Sequence, residues 1–297
     1  MKYLSKKLTL FIFKLFIINL FHSFNYIKIK KKKIKICLCV IGKKENLYAR
    51  EFVEYYKKLG YNKICIYDNN DINDERFEEV LRNQIDEGFV SIINYRGLKA
   101  HQFNSYKNCY EKTNKKYDWI SFFDFDEFLE IRQPNTKIQE FLANKRFKKC
   151  ENIKINRIYY NSENLYYENK TLEKRIYHIK KIDKYIKSTV RGNLSINYWS
   201  KMINPHTSLN KFISCSSSGK IINSTSSMND PPDIKNAFLK HYYIKSFEEF
   251  CIKRKRGYAD NYNKNLNQKL KKFFEQNKNN INKIKIMKTI LNISINV

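Results

Sequence analysis

Trp119-Ile120-Ser121-Phe122-Phe123-Asp124-Phe125-Asp126-Glu127-Phe128-Leu129 decides how this chain is read. An apolar, aromatic-rich run ends in two carboxylates at positions i and i+2. In an extended strand, alternate side chains point to one face, so a strand over 119–125 predicts Asp124 and Asp126 on the same side. Two acids at the end of a buried strand need a counter-charge. Mg²⁺ or Mn²⁺ supplies it, because these hard ions take oxygen ligands and share them with substrate phosphates. The plainer alternative is a solvated strand end that carries two acids.

The pattern around this stretch alternates. Residues 34–42 (IKICLCVIG), 63–67 (KICIY) and 89–95 (FVSIINY) are short apolar runs rich in β-branched residues. Between them, residues 45–59 have helical periodicity through Leu47, Phe52, Val53, Tyr56 and Leu59, and Gly60 closes the helix. Residues 74–86 and 100–116 read as further helices. Strands alternating with helices at this spacing predict an α/β, Rossmann-like, mainly parallel sheet flanked by helices. Continuously apolar strands fit burial on both faces. Beyond residue 150 the pattern is less regular. Residues 152–160 and 164–167 read as strands, and 214–230 as a polar loop. Residues 246–256 form a helix opened by Ser246 and Glu249, a capping box.

The chain has 297 residues, and its 42% hydrophobic content is enough for a sizeable core. With 7 Gly and 4 Pro it is not a linker-rich chain. The formal charge of +29 attracts anionic partners: phosphorylated substrates, lipid headgroups or nucleic acid. The lysines are scattered and no nucleic-acid motif is present, so nucleic acid is not expected as a partner, whereas an anionic membrane surface is. Seven cysteines without C-x-x-C spacing predict reduced, mostly buried thiols in a cytosolic setting, not disulfides or a zinc site.

Three regions are expected. Residues 1–33 form an amphipathic or membrane-anchoring helix with a basic flank, since 8–27 is about as long as a bilayer is thick yet carries Lys14, Asn19 and His22. Residues 34–257 form the main domain, and 258–297 a basic, helical, peripheral tail. The lysines after residue 27 keep the main domain on the cytoplasmic face of the membrane, peripheral or single-pass.

In open α/β sheets, ligands sit beyond the carboxyl ends of the strands. Here those ends carry Lys43-Lys44-Glu45-Asn46, Asp68-Asn69-Asn70-Asp71 and Asp124 with Asp126. G-x-G-x-x-G, the P-loop and G-x-S-x-G are all absent, which argues against a dinucleotide dehydrogenase, a P-loop NTPase and an α/β-hydrolase. An acidic strand end holding a metal-bound diphosphate remains.

Several blocks in order resemble GT-A glycosyltransferases of the family-2-like and family-92-like type. They are Glu51-Phe52-Val53-Glu54-Tyr55-Tyr56 through Ile66-Tyr67-Asp68-Asn69, then His101-Gln102 through Tyr106 and Cys109, then Asp118 through Phe128. Lys201 through Pro205 and Leu239-Lys240-His241-Tyr242-Tyr243-Ile244-Lys245-Ser246 complete the set. The resemblance implies a metal-dependent, inverting transferase that moves sugar from a nucleotide-sugar, a UDP-sugar first, to a surface-glycan or lipid-linked acceptor. It implies Asp124, Asp126 and His241 as ligands of Mn²⁺ or Mg²⁺. Asp68, Gln102, Asp124 and Lys201 would contact the donor. The plainer readings are a core histidine satisfied by backbone for His241, a solvent-facing glutamine for Gln102 and a surface lysine for Lys201. Where relatives carry a Gly-Asp-Asn-like turn, this chain has Tyr160-Asn161-Ser162-Glu163, which makes Glu163 the candidate catalytic base, with Asp230 or Asp233 next. Two other classes stand as alternatives: a basic nucleic-acid-associated protein, and a sugar-phosphate nucleotidyltransferase.

Overall fold

A computed structural model describes residues 33–98, 101–132, 134, 137–194, 202–204, 206–208, 212–223, 225–256 and 280–291. The expected N-terminal helix over 8–27 and Lys201 lie outside them. Among the described residues, no helix is long and apolar enough to cross a membrane.

The chain runs β1 (Ile36–Gly42), α1 (Asn46–Leu59), β2 (Lys63–Asp68), α2 (Phe77–Asp86), β3 (Val90–Asn94), α3 (Gln102–Thr113), β4 (Trp119–Phe122) and β5 (Glu127–Ile131). It continues through α4 (Ile138–Leu142), β6 (Asn152–Asn161), β7 (His178–Arg191), β8 (Met202–Asn204), β9 (Thr207–Ser208), β10 (Ser214–Cys215), β11 (Ile221–Ile222) and β12 (Ala237–Ile244). The helices α5 (Phe247–Lys255) and α6 (Ile281–Leu291) follow.

β1 is buried along its whole length because it is central: it pairs in parallel with β2 on one side and β4 on the other. Its alternation divides the interior. Ile36, Leu38 and Val40 join one core with α1 and α2, while Cys37, Cys39 and Ile41 join a second core with Tyr106, Cys109 and Tyr110 of α3. α1 presents Tyr48, Ala49, Phe52, Val53 and Tyr56 as its buried stripe. Each such large side chain contributes roughly 1.5–3 kcal/mol on burial. The helix stops at Gly60, whose φ of +103° lies in the left-handed region that glycine tolerates.

The sheet order is β11-β10-β6-β7-β4-β1-β2-β3, with β12 lying between β5 and β6. Only part of the expected parallel sheet is seen. β1 to β4 are parallel, but β7 runs antiparallel between β4 and β6, and β12 is antiparallel to β5, so the fold is mixed α/β. The 14-residue β7 has no apolar run to announce it; Lys180, Lys181, Lys184 and Lys187 interrupt it. Residues 164–167, read as a strand, are loop. β5 has one strand neighbour, and α1 closes its other side. The Tyr56 hydroxyl donates to Glu127 O (2.7 Å) and accepts from Leu129 N (3.1 Å), and the Tyr55 hydroxyl donates to Leu129 O (2.7 Å). Edge groups that would otherwise face water or another chain are thereby paired.

Ser246 caps α5 as expected, accepting from Glu249 N at 3.2 Å, but the Glu249 carboxylate turns to Arg175 at 2.9 Å instead of back to the cap. The tail contributes α6, whose Ile286 and Met287 pack on Phe247 and Cys251 of α5.

The expectation of seven reduced cysteines is overturned. Cys150 and Cys215 form a disulfide across 65 residues. β10 lies parallel to β6, with Cys215 opposite Ile153, which brings it beside the entry to β6. That pairing is long-range, so spacing along the chain carries no sign of it. A cross-link over such a loop removes unfolded-state entropy equivalent to roughly 4 kcal/mol.

Candidate active site

The two acids do not alternate along a strand. β4 ends at Phe122, and Asp124 to Glu127 form a turn into β5. Glu127 N donates to Asp124 O (3.0 Å), and the Glu127 carboxylate accepts from Asp124 N (3.0 Å). The residue between the acids holds the turn in place. Phe125 is buried, stacked on Phe77 (5.3 Å between centroids) and packed on Phe52 (4.8 Å). Its ring fills the space above Gly42, where a Cβ would meet it at 2.5 Å. With Phe125 pinned inward, Asp124 and Asp126 are turned toward the charged groups of the later strands and α5.

Each acid has a cation. Lys187 Nζ from β7 lies 2.6 Å from Asp124 Oδ2 and 3.5 Å from Glu127 Oε2. Gln102 Nε2 (3.2 Å) and the Tyr106 hydroxyl (3.3 Å), both on α3, donate to Asp124 Oδ1. Asp126 is paired with Lys253 of α5 and lies 3.4 Å from His241 Nε2. His241 reaches it because β12 places His241 opposite Glu127, and Tyr242 N donates to Asp126 O at 2.9 Å. Behind this pair, Arg157 bridges the fully buried Glu127 (3.3 Å) to Asp183 (2.5 Å). Burial alone would raise both carboxyls. Lys187 outweighs it at Asp124 and holds that group below its usual value. At Asp126, Lys253 and His241 outweigh it and hold the carboxyl well below its usual range.

Beside Asp126, a cleft is lined by Lys44, Lys245, Lys253 and Arg256 against Glu45 and Tyr48. Lys245 is buried over the Tyr48 ring at 3.4 Å, and burial pulls its ammonium down to about 8 against the pull of Glu45. Arg256 pairs with Glu45 at 2.5 Å. Lys44 pairs with Asp74 at 3.0 Å, Lys253 with Asp126, and Lys245 and Arg256 share Glu45, while Glu249 also lines the cleft, so its cations stand in ion pairs that a bound anion would have to rearrange.

The predicted residues are distributed as follows. Asp124, Asp126, His241 and Gln102 come together. Gln102 faces Asp124 rather than solvent, and His241 is not a histidine satisfied by backbone: its Nδ1 is buried without a hydrogen-bond partner among the described residues. Asp68 is buried at the end of β2, with Oδ2 on Arg96 (2.7 Å) and Oδ1 accepting from Asn70. Glu163 is exposed, just past the end of β6. Asp233 is engaged by Ser216, Ser218 and Lys235 N, and Asp230 lies 3.7 Å from Lys184. Lys187, Lys253, Arg157 and Tyr106 escaped the sequence reading as site groups. The Lys253-Arg254-Lys255-Arg256 run was the one available signal; Lys187 is one lysine among many in β7.

The chemistry of the donor set fits a hard divalent cation: two carboxylates on one turn, and an imidazole that shares Asp126 with it. The three do not close into a protein-only cage, since among the described residues the gathered ligand cluster is one of cysteines elsewhere. Mg²⁺-type ions accept such sparse sites because substrate phosphates and water complete their shell.

The acid turn and the cleft of paired lysines, arginine and glutamates beside it lie at the strand ends of a mixed α/β sheet. The chain matches the model described as glycosyltransferase family 92 over residues 32–290 and belongs to that family. It is 28% identical over 117 residues to a glycosyltransferase family 92 protein of Oryza sativa subsp. japonica, covering 39% of this chain and 19% of that protein. A family 92 protein of Ricinus communis is 26% identical over 34% of this chain and 18% of its own length. The aligned stretch thus spans about a fifth of these relatives. Among solved structures, S. aureus TarS (residues 1–349) superposes with a TM-score of 0.40 and 9% identity over 74% of this chain and 64% of that one. A mannosyltransferase from Pyrobaculum calidifontis, solved with GDP-Man and Mn²⁺, gives 0.32 and 11% over 43% and 36%.

Proposed function

We propose that this chain transfers a sugar, with inversion, from a nucleotide-sugar (a UDP-sugar first) to a glycan or lipid-linked acceptor. The observation that carries this reading is the acid turn, with Asp126 beside His241 and a cleft of Lys44, Lys245, Lys253 and Arg256 next to it. A nucleic-acid surface would array its cations over an exposed face; these line a cleft against the buried carboxylates of Glu45 and Asp126.

Asp126 and His241, with Asp124, would hold Mn²⁺ or Mg²⁺, which when bound supplies counter-charge to the departing diphosphate. Lys253, Lys245 and Arg256 bind the diphosphate oxygens. Gln102, Tyr106 and Lys187 fix the Asp124 carboxylate and keep it ionised. Arg96 and Asp68 brace the loop 69–76 as a wall of the donor pocket. Glu163 takes the proton of the acceptor hydroxyl as that oxygen attacks the anomeric carbon. The Cys150–Cys215 bond supports maturation in an oxidising compartment in place of the cytosolic setting expected from cysteine spacing.

The test is donor turnover by the purified full chain. UDP-, GDP- and CMP-sugars are offered with Mn²⁺, with and without EDTA. One nucleoside diphosphate is released, EDTA stops the release, and Asp126→Asn loses it while still melting cooperatively. A folded protein that binds no nucleotide-sugar refutes the reading.

A further inference from the structure

Four of the seven cysteines lie on one face of the sheet, away from α1, and the sulfurs of three of them converge. Cys37 and Cys39 project from the same face of β1. Cys65 of β2 lies directly across from Cys39 in the parallel ladder. Cys109 comes from α3, which covers that face. The sulfurs of Cys37, Cys65 and Cys109 all lie within 4.8 Å of one another, and the Cys37–Cys65 pair is 3.8 Å apart. All four side chains are buried.

The Cys37–Cys65 separation equals one edge of a particular geometry, and the third sulfur lies within an ångström of completing it. A tetrahedral zinc site with Zn–S bonds of about 2.3 Å has sulfurs about 3.8 Å apart along each edge. Such a site takes thiolates from separate elements and closes with three or four of them. Ordinary apolar packing of cysteine needs no convergence, because a thiol then behaves as a small hydrophobe that any neighbour can contact. Here two strands and a helix each deliver a sulfur to one point.

We propose that Cys37, Cys65 and Cys109 bind a single zinc ion that ties α3 to β1 and β2, its fourth position taken by Cys39 from the same face of β1 once the ion draws the thiolates in. Zn²⁺ displaces one proton from each ligating thiol, and no oxidation occurs. The site is separate from the acid turn and serves it indirectly. Cys109 lies three residues after Tyr106, one turn along α3, and Gln102 is a further turn back. Fixing Cys109 therefore fixes the helix whose Gln102 and Tyr106 donate to Asp124. This zinc is structural and holds a positioning helix.

The test uses the full chain, purified without chelator from zinc-supplemented cells and dialysed. Elemental analysis is expected to find about one zinc per chain. Asp126→Asn and Cys251→Ser keep that zinc, whereas Cys65→Ser and Cys109→Ser lose it. Should those variants not fold, unaltered protein refolded with Co²⁺ gives the same answer, through thiolate-to-cobalt charge-transfer absorption that zinc abolishes. Folded, zinc-free protein whose four thiols all titrate after denaturation overturns the proposal. So does a Cys39–Cys65 disulfide in the peptide map.

Discussion

Replacing Arg96 with methionine tests whether the end of β2 is a braced wall or an open contact surface. The Arg96 guanidinium meets Asp68 at 2.7 Å and also donates to the carbonyls of Glu75 (2.9 Å), Asp71 (2.7 Å), Ile72 (3.2 Å) and Asp74 (2.7 Å). Both charged side chains are nearly dry, at 9% exposure for Arg96 and 3% for Asp68. Methionine matches the length of the stem and removes the fork. The carbonyls belong to a surface loop and can turn to water, so most of the loss is the stranded Asp68 charge. Breaking a buried pair in this way costs about 3–5 kcal/mol. For a domain of this size, each kcal/mol moves the melting temperature by about 2–4 °C, so Arg96→Met melts roughly 6–20 °C lower. Arg96→Lys keeps the charge but cannot span five acceptors, and falls between the two. Adding Asp68→Asn to Arg96→Met removes the stranded charge and recovers part of the loss. Thermal unfolding followed by circular dichroism reads the stability, and limited proteolysis within 69–76 reads the loop. Arg96→Met melting within about 2 °C of wild type, or a double variant no better than the single, refutes the reasoning.

Three further outcomes are expected. Asp124 is held low by Lys187, so the stability it contributes is present above the ordinary carboxylate pKa and lost as pH falls through its lowered value. The Asp124 side chain is 34% exposed, which screens the pair, so Lys187→Met costs about 1–3 kcal/mol at neutral pH, with the deficit shrinking in acid; a deficit that does not change with pH in denaturant melts counts against the pair. Gly42→Ala drives a methyl to within 2.5 Å of the Phe125 ring and 2.7 Å of the Phe77 ring and costs about 1–3 kcal/mol, which Phe125→Leu in the same chain relieves only in part; wild-type stability for Gly42→Ala contradicts the packing. Reduction of the Cys150–Cys215 bond lowers stability by roughly 4 kcal/mol, and Cys150→Ala/Cys215→Ala abolishes that response; free thiols at both positions in a non-reducing peptide map contradict the cross-link.

The parallel half of the fold was legible because each of its strands is buried on both faces and so reads as an unbroken apolar run, as in residues 36–42. β7 was not, because one side of it faces the charged centre, and its Lys187 and Asp183 look like surface residues until Asp124 and Arg157 are seen opposite them. The two acids lie together as expected, but for a different reason. Strand alternation was expected to align them, whereas a turn does so, and the burial of Phe125 between them is the cause. His241 was singled out only through its resemblance block, and its place opposite Glu127 is a matter of register that no local pattern contains. The cysteine reading failed at the pair whose contact is made by β10 joining β6, a long-range event. It succeeded for Cys37, Cys39, Cys65 and Cys109 as buried groups, but spacing along the chain hid their convergence.

Phe125 has a kinetic meaning as well as a steric one. The acid turn is short, and its middle residue is locked among Phe52, Phe77 and the bare backbone at Gly42. Such a turn has no soft mode of its own and can let go only when the aromatic layer beneath it comes apart. Amide protons at Asp124 and Glu127 therefore exchange with deuterium at the slow pace of the β1 amides, through the same whole-domain opening.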